Sequence, residues 1–285
     1  MKSFNPTLLK KLYIPPQNSH KGQNGKLMII GGSKLFHAAS LWSLKVASRI
    51  VDMIYYSSVP ENNDIVQKVK EEFRGGIVVR RDKIEDYIQE ADCVLIGPGL
   101  PRKEGQEEGD DDTKELTEKL LKKYAHKKWV IDGGSLQTIN ASFIPQNAIL
   151  TPHSKEFERL KFKIQNSKFK VTVQNSKLEK QVEMLAKEYK CVILLKGPTD
   201  IICSHQECVR VSGGNAGMTK GGTGDVLAGL VAALYCKNEA FLSASSGSYI
   251  NKKAGEELFK RVGYYFNASD LADEIPKAMK ELIIR

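Results

Sequence analysis

This 285-residue chain contains no run of about eighteen apolar residues, the length a membrane-crossing helix needs. Its first residues, MKSFNPTLLKKLYIPPQNSHKGQNG, lack the long apolar core of a secretory leader. The five cysteines, at 93, 191, 203, 208 and 236, form no CxxC pair, so neither zinc-ligand spacing nor a disulfide framework is expected. Free thiols in a reducing, cytoplasmic compartment are the expectation. The formal net charge is +9, but the lysines are scattered among acids and form no dense basic tract with interleaved aromatics. That argues against nucleic acid as a partner and leaves small anions such as nucleotides. No internal repeat and no Pro/Ser-rich linker divides the chain, so residues 1–285 read as a single domain.

What is present is an alternation. Short apolar runs read as buried strands: KLMIIGGS (26–33), MIYYSSV (53–59), GGIVVR (75–80), ADCVLIGPG (91–99), KKWVIDGGS (127–135) and NAILTPH (147–153). KCVILLKGPTDIIC (190–203) reads as two strands joined by a turn at Gly197-Pro198. Between the strands lie helical stretches such as 37–53, 113–125 and 176–189. Apolar strands alternating with helices indicate an α/β fold, a parallel sheet covered by helices on both faces. Many of the strands end in glycine or in a polar group, and ligands of open parallel sheets gather beyond the carboxyl ends of the strands. The acidic stretch RKEGQEEGDDDTKE (102–115) reads as a solvated, mobile connection.

The densest signal is GGNAGMTKGGTGDVLAGLVAAL (213–234). Val226, Leu227, Leu230, Val231 and Leu234 form one face of a helix. Gly221, Gly222, Thr223 and Gly224 lead into it, and bare amides at a helix N-terminus hold phosphate. The pattern is not GxxxxGK[ST], because no Lys-Ser/Thr follows the glycines. Asp225 stands in this junction, where the helix dipole favours its ionised form. It either caps the helix or accepts a proton from a hydroxyl attacking a bound phosphoryl group.

This run resembles the signature of the ribokinase-like superfamily, and more closely the NAD(P)H-hydrate dehydratases of the carbohydrate-kinase-like family. SHKGQNGKLMIIGGS (19–33), LIGPGL (95–100), TPHSKEFERL (151–160) and LLKGPTDII (194–202) are similar to other blocks of that family, in the same order. The resemblance implies a ribokinase-like three-layer sandwich with a mostly parallel central sheet. It implies an ADP- or ATP-dependent lyase that phosphorylates the hydroxyl of hydrated NADH or NADPH and eliminates phosphate, repairing the cofactor. ADP is favoured because the chain looks like a stand-alone bacterial or archaeal form. By the same resemblance Asp225 is the catalytic base and a substrate contact, and Ala39, Gly99 and His153 meet the hydrated dinucleotide. Lys196, Gly197 and Asn215, with the glycine-rich run Gly221, Gly222, Thr223 and Gly224, hold the nucleotide. Glu156 acts on Mg²⁺ through water. A homo-oligomer, a tetramer by analogy, is also implied.

The chain departs from the family pattern at three places. DGGSL (132–136) replaces a DADAL-like run, keeping Asp132 but placing Gly134 where the second acid stands. His37 precedes Ala39 in place of a smaller turn, and Lys220 takes a small-residue position, where it would meet phosphate or solvent. Two alternatives follow: a small-molecule alcohol kinase of the thiazole or pyrimidine type, and a silent nucleotide-binding protein.

Overall fold

A computed structural model describes residues 1–69, 75–162 and 167–284. The strands are β1 (Lys2–Ser3), β2 (Lys26–Ile30), β3 (Met53–Ser57), β4 (Ile77–Val78), β5 (Cys93–Ile96), β6 (Lys128–Ile131), β7 (Ile149–Leu150), β8 (Val192–Leu195), β9 (Thr199–Cys203) and β10 (Cys208–Ser212). They form one sheet in the order β1-β10-β9-β8-β7-β6-β5-β2-β3-β4. From β8 through β4 every neighbouring pair is parallel. Only β8–β9 and β9–β10 run antiparallel. The turn at Gly197-Pro198 is too short for a crossover, so the chain must reverse there.

The helices are α1 (His37–Ala47), α2 (Pro60–Val69), α3 (Ile84–Glu90), α4 (Thr113–Lys123), α5 (Gly133–Thr138), α6 (Ser154–Phe162), α7 (Ser167–Gln174), α8 (Leu178–Glu188), α9 (Thr223–Lys237), α10 (Ala240–Val262) and α11 (Ala268–Ile283). Alternation along the strands divides the core in two. Leu27, Ile29, Leu95 and Val130 pack with α1, α9, α10 and α11. Met28, Ile30, Ile96 and Trp129 pack with α3, α4, α6 and α8. The result is the three-layer sandwich expected from the resemblance, with the mostly parallel sheet in the middle. α9 is buried almost throughout, because both the sheet and its neighbouring helices cover it. That explains why its sequence is apolar on every side.

Three expectations change. The helix expected over 37–53 ends at Ala47, and Ser48–Asp52 turn the chain into β3. The acidic stretch 102–115 is tied down: Asp110 accepts from the Lys34 amide (2.9 Å), Asp111 pairs with Arg81 (2.7 Å), and Asp112 caps α4. Asp110 and Asp111 are anchored by partners far away in sequence, whereas Glu104, Glu107, Glu108, Asp112 and Glu115 are exposed, as expected.

The third change concerns the thiols. Cys203 and Cys208 are joined in a disulfide, while Cys93, Cys191 and Cys236 are free and buried. The antiparallel register sets Cys203 directly opposite Cys208, with the turn closed by the Ser204 amide on the Glu207 carbonyl (2.8 Å). Spacing alone hides such a pair, since it arises from hairpin register. We expect air-oxidised protein unfolded in guanidinium to titrate three thiols without reductant, and all five after reduction. Five reactive thiols before reduction would show that the bond does not form.

Candidate functional site

Strands β6, β7 and β8 lie side by side and parallel, so the residues just beyond their ends converge. Asp132 follows β6, Thr151 follows β7 and Lys196 follows β8. The Thr151 hydroxyl donates to Asp132 Oδ1 (2.7 Å), and Lys196 Nζ donates to the same oxygen (2.9 Å). Both partners of this ion pair are mostly buried. Burial alone would lower the Lys196 pKa, but Asp132 and Glu156 outweigh it and hold the ammonium above its ordinary value.

His153 begins α6. Its backbone amide donates to Glu156 Oε2 (2.9 Å), and its Nδ1 accepts from the Lys155 amide (3.1 Å), a histidine version of the reciprocal cap. Glu156 Oε1 accepts from Gln137 Nε2 (2.9 Å). Glu156 is therefore a first-turn structural acid, and it also faces the cavity. Burial pushes the His153 pKa down, against the pull of Glu156, so the imidazole is neutral near pH 7.

Opposite stands the start of α9. Gly222 occupies the cap position with φ +93°, and no side chain caps the helix. A Cβ on Gly222 would lie 2.3 Å from the Trp42 ring and 2.7 Å from Ala268, so only glycine fits there. The Thr223 amide donates to the Lys220 carbonyl (3.3 Å), while the Gly224 amide after it has no intrahelical acceptor and is left for whatever enters the cavity. Asp225 lies inside the first turn and not at the cap, which removes the capping alternative. Its own carbonyl accepts from Ser43 Oγ (2.7 Å), which fastens α9 to α1. The pull of the helix start toward the ionised form of Asp225 is outweighed. Burial, followed by repulsion from Asp132, pushes its pKa up to about 7, with Lys196 opposing the rise.

These groups line one cavity of about 930 Å³. Asp225, His153, Glu156, Lys196, Gly197, Asn215, Gly221, Gly222, Thr223 and Gly224 all border it. Lys196 reaches the glycine run, for a Cβ on Gly224 would stand 3.4 Å from its Nζ. Asn215 shapes the loop by donating to the Gly255 carbonyl (2.7 Å) and accepting from the Gly217 amide (2.9 Å). Ala39 and Gly99 do not line this cavity. They face each other beyond β2 and β5, where a Cβ on Gly99 would lie 3.1 Å from the Ala39 Cβ. Ala39 is one turn before Ser43 on α1, the residue whose hydroxyl bonds the Asp225 carbonyl.

Two sequence departures find physical reasons. A Cβ on Gly134 would stand 2.1 Å from the Leu100 carbonyl oxygen, so a second acid has no room on this backbone. Lys220 is exposed at the border of the cavity, and its ammonium is engaged there: it donates to the carbonyls of Tyr264 and Phe266 and lies over the Phe266 ring. The third, His37, is exposed, with Nδ1 3.2 Å from the Lys34 carbonyl. Sequence reading did not single out Asp200, Asn251 and Lys252, which also border the cavity. Asn251 and Lys252 belong to a polar stripe on the buried helix α10, and Asp200 lies on β9; both became visible only once α10 was placed.

A doubly covered, mostly parallel sheet with an uncapped helix start beside an acid is the arrangement of the ribokinase-like fold. Solved structures share the fold. A ribokinase-like protein of Enterococcus faecalis superposes with a TM-score of 0.81 at 21% identity, covering 100% of this chain and 97% of that one. An ADP/ATP-dependent NAD(P)H-hydrate dehydratase of Bacillus subtilis, co-crystallised with ATP/Mg²⁺, gives 0.77 at 20% identity, covering 99% and 98%. A family model described as NAD(P)H-hydrate dehydratase matches residues 27–277, and the chain belongs to that family. It is 37% identical over 281 residues to a bifunctional NAD(P)H-hydrate repair enzyme of Methanocaldococcus jannaschii, covering 95% of this chain and 51% of that protein. It is 33% identical over 290 residues to an ADP-dependent (S)-NAD(P)H-hydrate dehydratase of Nitrosopumilus maritimus, covering 96% of each. The chain thus spans about half the length of the bifunctional relatives.

The raised Asp225 pKa makes a stability prediction. A carboxyl that ionises near 3.8 when unfolded but near 7 when folded favours the native state below 3.8 and loses that contribution as pH rises toward 7. Asp225→Asn, which carries no charge, should therefore melt above wild type at pH 8. The gain should shrink toward pH 4. Equal melting temperatures at both pH values would deny the raised pKa.

Proposed function

We propose that this chain dehydrates hydrated NADH and NADPH at the expense of an adenine nucleotide. What carries the reading is Asp225, with a pKa near neutrality, set in the first turn of an uncapped helix that borders the cavity with Lys196. Family membership and the name of the full-length Nitrosopumilus relative support it, and that name favours ADP as donor.

The nucleotide phosphates would lie against the Gly221–Gly224 amides and Lys196. Asp225 takes the proton of the substrate hydroxyl. The freed oxygen attacks the terminal phosphorus, and the bond to the nucleotide's bridging oxygen breaks. ADP would leave as AMP, or ATP as ADP. Hydroxide is a poor leaving group and phosphate a good one. Phosphate then departs with the C–O electrons, and a proton leaves the neighbouring carbon, which restores the ring double bond. A base with pKa near the working pH is both free to accept a proton and strong enough to take it. Ala39 and Gly99, with no side-chain bulk, would let the dinucleotide lie against the backbone beyond β2 and β5, with His153 closing its other side.

Among the described residues no three His, Cys, Asp or Glu side chains form a metal cage. The residues suit Mg²⁺ that arrives with the nucleotide and keeps its waters, with Glu156 on the water shell. When bound, the ion neutralises phosphate charge. The proposal takes residues 1–285 as one catalytic domain, working as a cytoplasmic homo-oligomer. No helix among the described residues is long and apolar enough to cross a membrane.

The test is recovery of NADH absorbance from hydrated NADH with Mg²⁺ and either ADP or ATP. Recovery with one donor supports the reading and identifies that donor. Nucleotide turnover without NADH would favour an alcohol kinase instead. With the active donor, kcat/KM should rise with pH as Asp225 ionises, reaching half its maximum near 7. Asp225→Asn should lose on the order of 10²–10⁴ in kcat while nucleotide affinity changes little. A variant within about tenfold of wild type, a loss near 1.4 kcal/mol, would remove Asp225 as the base.

A further inference from the structure

Helix α10 carries an unusual stripe. Ser248, Asn251, Lys252, Gly255 and Glu256 recur at helical spacing, which places them on one face. Ser248, Asn251 and Lys252 are buried. A buried helix face is normally apolar, so polar groups here need partners. Most have one, and the partners are the walls of the cavity. Lys252 Nζ donates to the carbonyls of Gly197 (3.0 Å), Pro198 (3.2 Å) and Gly213 (3.4 Å), and lies 3.3 Å from Asp200 Oδ1. Asp200 also accepts from the Gly197 amide (2.8 Å) and from Ser248 Oγ (2.7 Å). Glu256 accepts from the Gly214 amide (3.1 Å), and the Gly255 carbonyl accepts from Asn215.

Those oxygens come from two separate segments, the β8–β9 turn and the glycine loop after β10. Gly213 and Gly214 in that loop have φ of +114° and +74°, so the backbone there is intrinsically soft. The lysine stem packs on it: a Cβ on Gly214 would lie 3.4 Å from Lys252 Cγ. Carbonyl oxygens bordering an anion pocket repel phosphate unless a cation holds them. Lys252 is both that cation and the tie between the segments.

We propose that Lys252 is a positioning residue for the nucleotide: its ammonium gathers the Gly197, Pro198 and Gly213 carbonyls and so holds the two phosphate-facing segments in register. This rests on the nucleotide-dependent reading above. Asp200 balances the charge, and Ser248 orients Asp200. Lys252 takes no part in proton transfer, so its loss acts on nucleotide affinity rather than on the chemical step.

Isothermal titration of adenine nucleotide and Mg²⁺ into wild type and Lys252→Met is the test. The expected result is a Kd raised about tenfold or more, with kcat at saturating nucleotide within about threefold of wild type. Removing one member of a buried pair strands the other, so Lys252→Met/Asp200→Asn is made alongside and should show the same rise if the single variant does not fold. In Lys252→Ala, added propylammonium should recover affinity and propanol should not, because only the ammonium carries the charge that the carbonyls bind. An unchanged Kd, a loss confined to kcat, or equal rescue by propanol overturns the assignment. Wild-type protein that binds no nucleotide would overturn the functional reading itself, an outcome distinct from the others.

Discussion

The site depends on one balance of charge. Asp132, Glu156 and Asp225, from three different parts of the chain, stand around the Lys196 ammonium at the carboxyl edge of the sheet. For Asp225, burial and the neighbouring carboxylates oppose ionisation, and Lys196 offsets them only in part. Asp132 holds the ammonium directly and is further satisfied by Thr151. Glu156 is committed to the start of α6 and to Gln137. Asp225 is left with burial and repulsion, and its pKa climbs to about 7.

The scaffold makes that inequality possible. A parallel sheet points all its strand ends one way, so residues after β6, β7 and β8 meet without long loops. α9 enters from the opposite side, clamped to α1 by the Ser43 bond, and brings its uncapped first turn over the strand ends. The antiparallel β8–β9–β10 extension adds the turn at Gly197 and the loop at Gly213, and α10 ties the two together. The polar interior of α10 is thus consistent with the rest: each polar group on that face that finds a protein partner braces a wall of the cavity.

Asn251 is the exception on that face. Its Oδ1 is buried without a protein partner although the residue borders the cavity. The departures of this chain from its family pattern are better accounted for. Gly134 is glycine because Leu100 crowds it, and Lys220 is held by the carbonyls before α11.

By itself the sequence determined the layers and the anion loop. The short apolar runs of the strands, the apolar run of α9 and the glycines before it are local patterns, governed by neighbours a few residues away. GGTGD announced both the helix start and its acid, and the ordered blocks named the family. Only the tertiary structure decided that Asp225 is buried beside Asp132, which raises its pKa. That follows from the spacing of Asp132, Lys196 and Asp225, which strand order brings together from distant positions. It likewise decided that Cys203 meets Cys208, that Ala39 and Gly99 do not line the cavity bordered by Asp225 and Lys196, and that Lys252 faces inward. Each depends on register, burial or helix orientation, which long-range packing sets and local sequence does not contain.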